Sequence, residues 1–278
     1  MLGWLIPDFH QPHCSFSYTP IREDSGKNRS AKKSDYQSPS MKMFIREFQR
    51  RVAEIDKYFE LVDKMDEIDK LGSGSGRSII FPTTGPYTVD IELQKILKSH
   101  CYLLLYNLIE SSIRNGIMAI HDAIAIEQLT YQELHPKIQK LWLLNDLSKS
   151  FRDATIKKET IADNLQEALQ VVVDNTVVTL DPNNIPISGN LDVQTIKSLM
   201  EMYGVFGPLP FSEKIIHPVL NFVVKIRCDL AHGNVSFSEA SNQILWSKLL
   251  EEKEKIVRYL EQVLQNIENY IDNHRYKT

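Results

Sequence analysis

Lys225-Ile226-Arg227-Cys228-Asp229-Leu230-Ala231-His232-Gly233-Asn234 is the stretch on which the reading of this chain turns. The run Val219-Leu220-Asn221-Phe222-Val223-Val224 feeds into Arg227, His232 follows five residues later, and Gly233 comes next. Glycine is the usual residue just past a helix end, so the segment reads as a helix that stops near His232. Five helical residues turn through about 140°. Arg227 and His232 therefore do not share one face of an ideal helix, and they converge on a ligand only if His232 lies in a fraying last turn. A helix C-terminus favours a cation, and an imidazole exchanges protons near neutral pH. A guanidinium one and a half turns earlier offers a fixed fork for phosphate. Basic residues in a last turn are also ordinary C-terminal stabilisers, so spacing alone leaves both readings standing.

Ahead of this stretch, Ser212 is placed to cap the motif helix, and Gly204 and Gly207-Pro208-Leu209-Pro210 break the chain before it. Ser188-Gly189-Asn190-Leu191-Asp192 reads as a tight turn ending in an N-cap for a short helix from Val193 to Tyr203. Asp90 caps a long, very apolar helix expected to run to about Ala125. Its sparse polar residues Asn107, Glu110, Ser111, Arg114 and His121 fall at offsets of 0, 3, 4, 7 and 14 and make one stripe. Either Glu110 and Arg114 form a stabilising pair within the helix, or the stripe is a polar wall facing the Arg227/His232 pocket. Burying charge in so apolar a rod is costly without a partner, which favours the wall.

Downstream, Ser236 or Ser238 is expected to cap a final long helix to about Tyr270, with Leu245, Leu249, Ile256, Leu260, Val263, Leu264, Ile267 and Ile271 forming a continuous apolar stripe. That stripe suits closure of the bundle or a dimer contact. Nearer the start, Phe44, Phe48, Val52, Ile55, Phe59, Val62 and Met65 set the rhythm of an amphipathic helix from Met41 to Leu71. Gly72-Ser73-Gly74-Ser75-Gly76 ends it, as a natural flexible loop or an introduced linker. Residues 79 to 86 look irregular. A helix opens at Pro136, another covers Ile156 to Val172, and the β-branched Val171 to Leu180 suggests a small hairpin.

The chain has 278 residues, 42% of them hydrophobic and 24% charged, which suits a soluble globular protein with a sizeable core. A net charge of −4 excludes a general basic coat, so any RNA contact must come from a local patch. Cys14, Cys101 and Cys228 are odd in number and far apart, which argues for a reducing, cytoplasmic setting. Leu103 to Ile126, interrupted by Glu110, Arg114, His121 and Asp122, falls short of an apolar membrane span. Residues 1–40 differ in character and read as a disordered tail or a non-native extension, leaving 41–278 as the folded domain. His10, His13 and Cys14 crowd together there, but no second ligand pair follows, and they read as incidental.

Arg227-x4-His232, followed by Gly-Asn, resembles the Arg-x(4–6)-His signature of the HEPN superfamily. Leu105-Tyr106-Asn107-Leu108-Ile109-Glu110-Ser111-Ser112-Ile113-Arg114-Asn115-Gly116, Ser188-Gly189-Asn190-Leu191-Asp192 and Leu230-Ala231-His232-Gly233-Asn234-Val235-Ser236-Phe237 are similar, in order, to blocks of the MAE-type HEPN subfamily. The resemblance implies an all-α, HEPN-like helical bundle with irregular insertions and a long C-terminal helix. It implies a homodimer in which two motifs line one cleft, and a metal-independent endoribonuclease with no cofactor. Attack of a ribose 2′-hydroxyl on the adjacent phosphate needs a base, an acid and positive charge. Two copies of His232 would share the proton work and two copies of Arg227 would hold the phosphate. Glu110, Arg114, Asn115, Asp229 and Asn234 would serve in supporting or RNA-binding roles. The family setting is prokaryotic defence or toxin–antitoxin activity, with RNA as substrate and an antitoxin or defence protein as partner. Cys228 departs from the polar residue usual after the motif arginine, and Asn234 stands where some toxins carry a modified tyrosine. The alternative is a catalytically silent HEPN domain acting as an RNA-binding or protein-interaction module.

Overall fold

The most apolar segment of the chain forms its central rod. Helix α2 (Ile91–Glu127) begins at Asp90, whose carboxylate accepts from the Leu93 N–H at 2.8 Å, as the capping chemistry predicts. It closes on Gln128 in the left-handed conformation. Its 37 residues span about 55 Å, and α1 (Met43–Lys70), α6 (Glu213–Ala231), α7 (Phe237–Ala240) and α8 (Trp246–Asp272) all pack on it. The computed structural model describes residues 43–70, 78–151, 158–187, 190–242 and 244–278, all of them within one compact unit. The readings made of residues 1–40, the Gly72–Gly76 run and Ser188-Gly189 lie outside the described residues.

Helix α1 (Met43–Lys70) packs on α2 through the predicted stripe, with Phe44, Phe48, Ile55, Phe59, Val62 and Met65 buried. Between the two helices, β1 (Ser78–Phe81) and β2 (Gly85–Thr88) form an antiparallel hairpin, Phe81 opposite Gly85. The sequence reading had only irregular chain there. Gly85, at φ 79°, takes the positive-φ conformation that so short a connection requires.

Helices α3 (Pro136–Phe151) and α4 (Lys158–Val173) pack on each other. No hairpin follows: α4 continues to Val173, Asn175 turns the chain at φ 51°, and Val177 pairs with Thr130 in an isolated bridge. The β-branched run was long enough for a strand, but its first half completes an apolar helix face and its second half finds a partner some 50 residues back. Helix α5 (Val193–Tyr203) matches the predicted bounds, from Asp192, which accepts from the Thr195 N–H at 2.7 Å, to Gly204 at φ 78°.

The motif helix α6 (Glu213–Ala231) packs on α2, α5 and α8 (Trp246–Asp272). Ser212 takes its N-cap position with the backbone carbonyl, and the hydroxyl makes no cap bond. Ser236 caps only the one-turn helix α7 (Phe237–Ala240), with Glu239 completing a capping box. The final long helix starts afresh at Trp246, whose indole donates to Asp63 of α1 at 2.5 Å. A local cap marks where a helix starts but not where it ends, and here the chain must turn before α8 can lie on α1 and α2. After α8 the chain folds back. Glu127 at the end of α2 accepts from Tyr276, from Lys277 at 2.5 Å and bonds His274 Nδ1 at 2.5 Å, and the His135 N–H donates to the Tyr276 carbonyl. The fold is an all-α bundle with one small hairpin among the described residues. No described helix is long and apolar enough to cross a membrane.

Candidate active site

The end of α6 is locked. The Gly233 N–H donates to the Leu230 carbonyl at 3.2 Å and the Asn234 N–H to the Asp229 carbonyl at 2.8 Å, with Gly233 at φ 69°. This is the paired closure that satisfies the last orphan carbonyls of a helix. His232, the C-cap residue, keeps helix-like angles of φ −91° and ψ −1°. The fraying that would swing His232 toward Arg227 does not occur, because Gly233 absorbs the reversal one residue later. His232 is exposed, Arg227 is half-buried, and no hydrogen bond joins them.

Arg227 turns inward instead. Its guanidinium carbon lies 4.6 Å from the centre of the Tyr106 ring on α2, well inside the range of a cation–π attraction. Among the described residues Arg227 forms no ion pair; its other polar contact is a 3.9 Å approach to the Cys228 sulfur. The Tyr106 hydroxyl accepts from the backbone of Leu191, just ahead of α5. Burial pushes the phenol pKa up, the Glu110 carboxylate adds to that, and Arg227 and the Leu191 bond pull against it. Cys228 donates from its thiol to the Asn190 side-chain oxygen at 3.1 Å. Three separated stretches thus meet on the motif: one turn of α2, residues 190–191 and the last turns of α6.

The remaining candidates fall on either side of this point. Glu110 lies one helical turn beyond Tyr106 and pairs with Arg114 at 3.5 Å, both side chains partly exposed. The ion pair of the first reading is present, and no hydrogen bond or ion pair joins Glu110 or Arg114 to Arg227 or His232. Asn115 is half-buried on the same helix and makes no hydrogen bond to the motif. Asp229 pairs with Lys225 at 2.5 Å and accepts from Asn234 at 3.4 Å. Those bonds, Lys225 foremost and with His232 adding its charge, hold the Asp229 carboxyl below the usual range. The rest of the expected polar wall divides. Asn107 is taken by Arg51 of α1 at 3.0 Å, Ser111 bonds its own helix, and His121 is buried against Tyr203 of α5, 2.7 Å from its hydroxyl. Offsets on one helix place residues along a stripe but do not say which neighbour each part meets.

The sequence reading passed over Tyr106 and Asn190 as members of the site. An aromatic on an apolar helix looks like core, and only its position beneath α6 sets it apart. Ser99 and His100 were missed as well. The Ser99 hydroxyl donates to the Phe237 carbonyl, and the His100 ring stacks on Phe237 at 4.6 Å between centres. These contacts anchor the segment that leads away from His232.

The family model described as MAE_28990-like HEPN matches residues 41–276. The chain belongs to the HEPN superfamily. The matched span takes in every described helix, so the HEPN domain accounts for the whole described fold. Comparison with curated proteins and with solved structures returned no match. In this HEPN protein the Arg-x4-His motif ends α6, with its arginine held on α2 and its histidine open to solvent.

Proposed function

We propose that this HEPN protein is a metal-independent endoribonuclease acting at a composite site made by two copies of the chain. The observation that carries the reading is Arg227: a half-buried guanidinium with no carboxylate partner among the described residues, placed one and a half turns before an exposed histidine. A guanidinium held by its face keeps its in-plane N–H donors for phosphate oxygens. An exposed motif imidazole on each chain, not bonded to its own arginine, suits pairing across a two-fold axis, where one His232 would take the 2′-hydroxyl proton and the other would protonate the leaving 5′-oxygen. The products would be a 2′,3′-cyclic phosphate and a free 5′-hydroxyl, and DNA, lacking the 2′-hydroxyl, would resist. Cleavage of this kind would serve defence or growth arrest, with a protein inhibitor as a natural partner.

A second reading, a silent RNA-binding or interaction module, draws on the Cys228–Asn190 bond, which places a thiol in the site where the family commonly has a stronger polar group. Incubation of purified protein with mixed RNA in EDTA separates the two. Cleavage that falls by about 100-fold or more in His232→Ala and Arg227→Ala supports the nuclease. RNA binding without cleavage supports the module, and equal cleavage by the variants refutes the assigned site.

A further inference from the structure

An arginine side chain carries some of the largest rotamer entropy of any residue, and a half-exposed position at a helix end does little to restrain it. In this chain the restraint comes from elsewhere. The ring of Tyr106, itself 4% exposed, lies under the guanidinium of Arg227 at 4.6 Å. Its hydroxyl accepts a hydrogen bond from the backbone of Leu191, a fully buried residue. The neighbouring Asn190 accepts from Cys228, the residue next to Arg227. One step further along, Asp192 caps α5 and so fixes where the helix starts after Asn190 and Leu191.

We infer that Tyr106 is the positioning residue for Arg227, and that Asn190 braces the neighbouring Cys228. This rests on the nuclease reading for its consequence but not for its geometry. Positioning matters because a displacement of about 1 Å at a charge-stabilising group can cost about 100-fold in rate. The aromatic face, not the hydroxyl, touches the cation, so the ring is the part that must be kept. Glu110, one turn beyond Tyr106, is already engaged by Arg114, which leaves Arg227 to the ring and to substrate.

Two measurements decide this. In the first, the Arg227 Nε–Hε resonance is assigned by its absence in Arg227→Lys. It should be displaced upfield by the ring current in the wild type and in Tyr106→Phe, and should return to an ordinary position in Tyr106→Leu. A wild-type resonance already at an ordinary position overturns the proposal, and that observation needs neither RNA nor a folded leucine variant. In the second, RNA cleavage is compared across the same proteins. Tyr106→Phe should stay within about threefold of wild type, while Tyr106→Leu should lower kcat by about 100-fold with KM nearly unchanged. In an Arg227→Ala background, Tyr106→Leu should cost nothing further. An equal loss in both backgrounds would mean that Tyr106 is merely structural and would overturn the proposal. Failure of the wild type to cleave RNA would instead count against the nuclease reading, and the ring-current shift would still decide the positioning.

Discussion

Replacing His121 with glutamine should remove an acid-sensitive step from the stability of this fold. His121 is 4% exposed, between α2 and α5, with its Nε2 2.7 Å from the Tyr203 hydroxyl and its Nδ1 without a partner. Burial, opposed weakly by Asp181, pushes its pKa down from 6.5 to about 4. The unfolded chain takes up the proton as the pH falls through about 6.5, whereas the folded chain does so only near 4. Between those values the unfolded state binds more protons, so stability is fully present above the window and declines as the pH is lowered through it. A displacement of this size is worth about 3 kcal/mol, a large fraction of the whole stability of a typical domain. Urea unfolding followed by circular dichroism, at steps from about pH 7 to about pH 4, measures this in both proteins. The titrating carboxylates are common to wild type and His121→Gln and cancel in the difference. The variant can still meet the Tyr203 hydroxyl with its amide, so its curve should be flatter by about 3 kcal/mol across the window. Parallel curves would refute the argument and place His121 in contact with water. RNA cleavage at neutral pH should be unchanged in the variant, because this side chain is turned away from the motif.

Gly207→Ala should destabilise by about 1–3 kcal/mol, because a Cβ there overlaps the Asn266 amide, which donates to the Pro208 carbonyl at 2.9 Å; a thermal midpoint equal to that of the wild type would show that Asn266 has room to move. Gly233→Ala meets no atom within 4 Å, yet holds φ at 69°, so it should cost about 1–2 kcal/mol by strain alone. Gly233→Asn should cost less, since asparagine tolerates the left-handed region, and an alanine variant as stable as the asparagine variant would contradict that cause. Because the bonds from Gly233 and Asn234 lock the end of α6, the alanine variant should also lose RNA cleavage beyond its loss of stability.

Several helix boundaries were legible because they are local chemistry. Asp90 and Asp192 each accept an N–H three residues on, and Gly204 and Gly233 each take a left-handed conformation just past a helix. The stripe on α1 was equally plain, since a three-or-four rhythm of apolar residues leaves a helix one face to bury. Ser236 was recognised as a cap, but its helix lasts a single turn because the chain must reach Trp246 to lie along α1 and α2. Ile79 and Ile80 were too short a run to distinguish a hairpin from loop until Gly85 closed the turn. The polar residues of α2 were correctly read as a stripe, but Asn107 is claimed by α1 and His121 by α5.

From the sequence alone came the all-helical class, the arginine and histidine of the motif, their spacing, and the glycine that ends their helix. The motif and its closing glycine depend on a short run of consecutive residues and on backbone geometry that is the same in any protein, while the all-helical class came from blocks and apolar stripes spread along the chain. Packing alone decided that Arg227 lies on Tyr106 and that Asn190 meets Cys228. Such contacts join residues far apart in the chain, and an apolar stripe specifies that a face will be buried without specifying what will cover it.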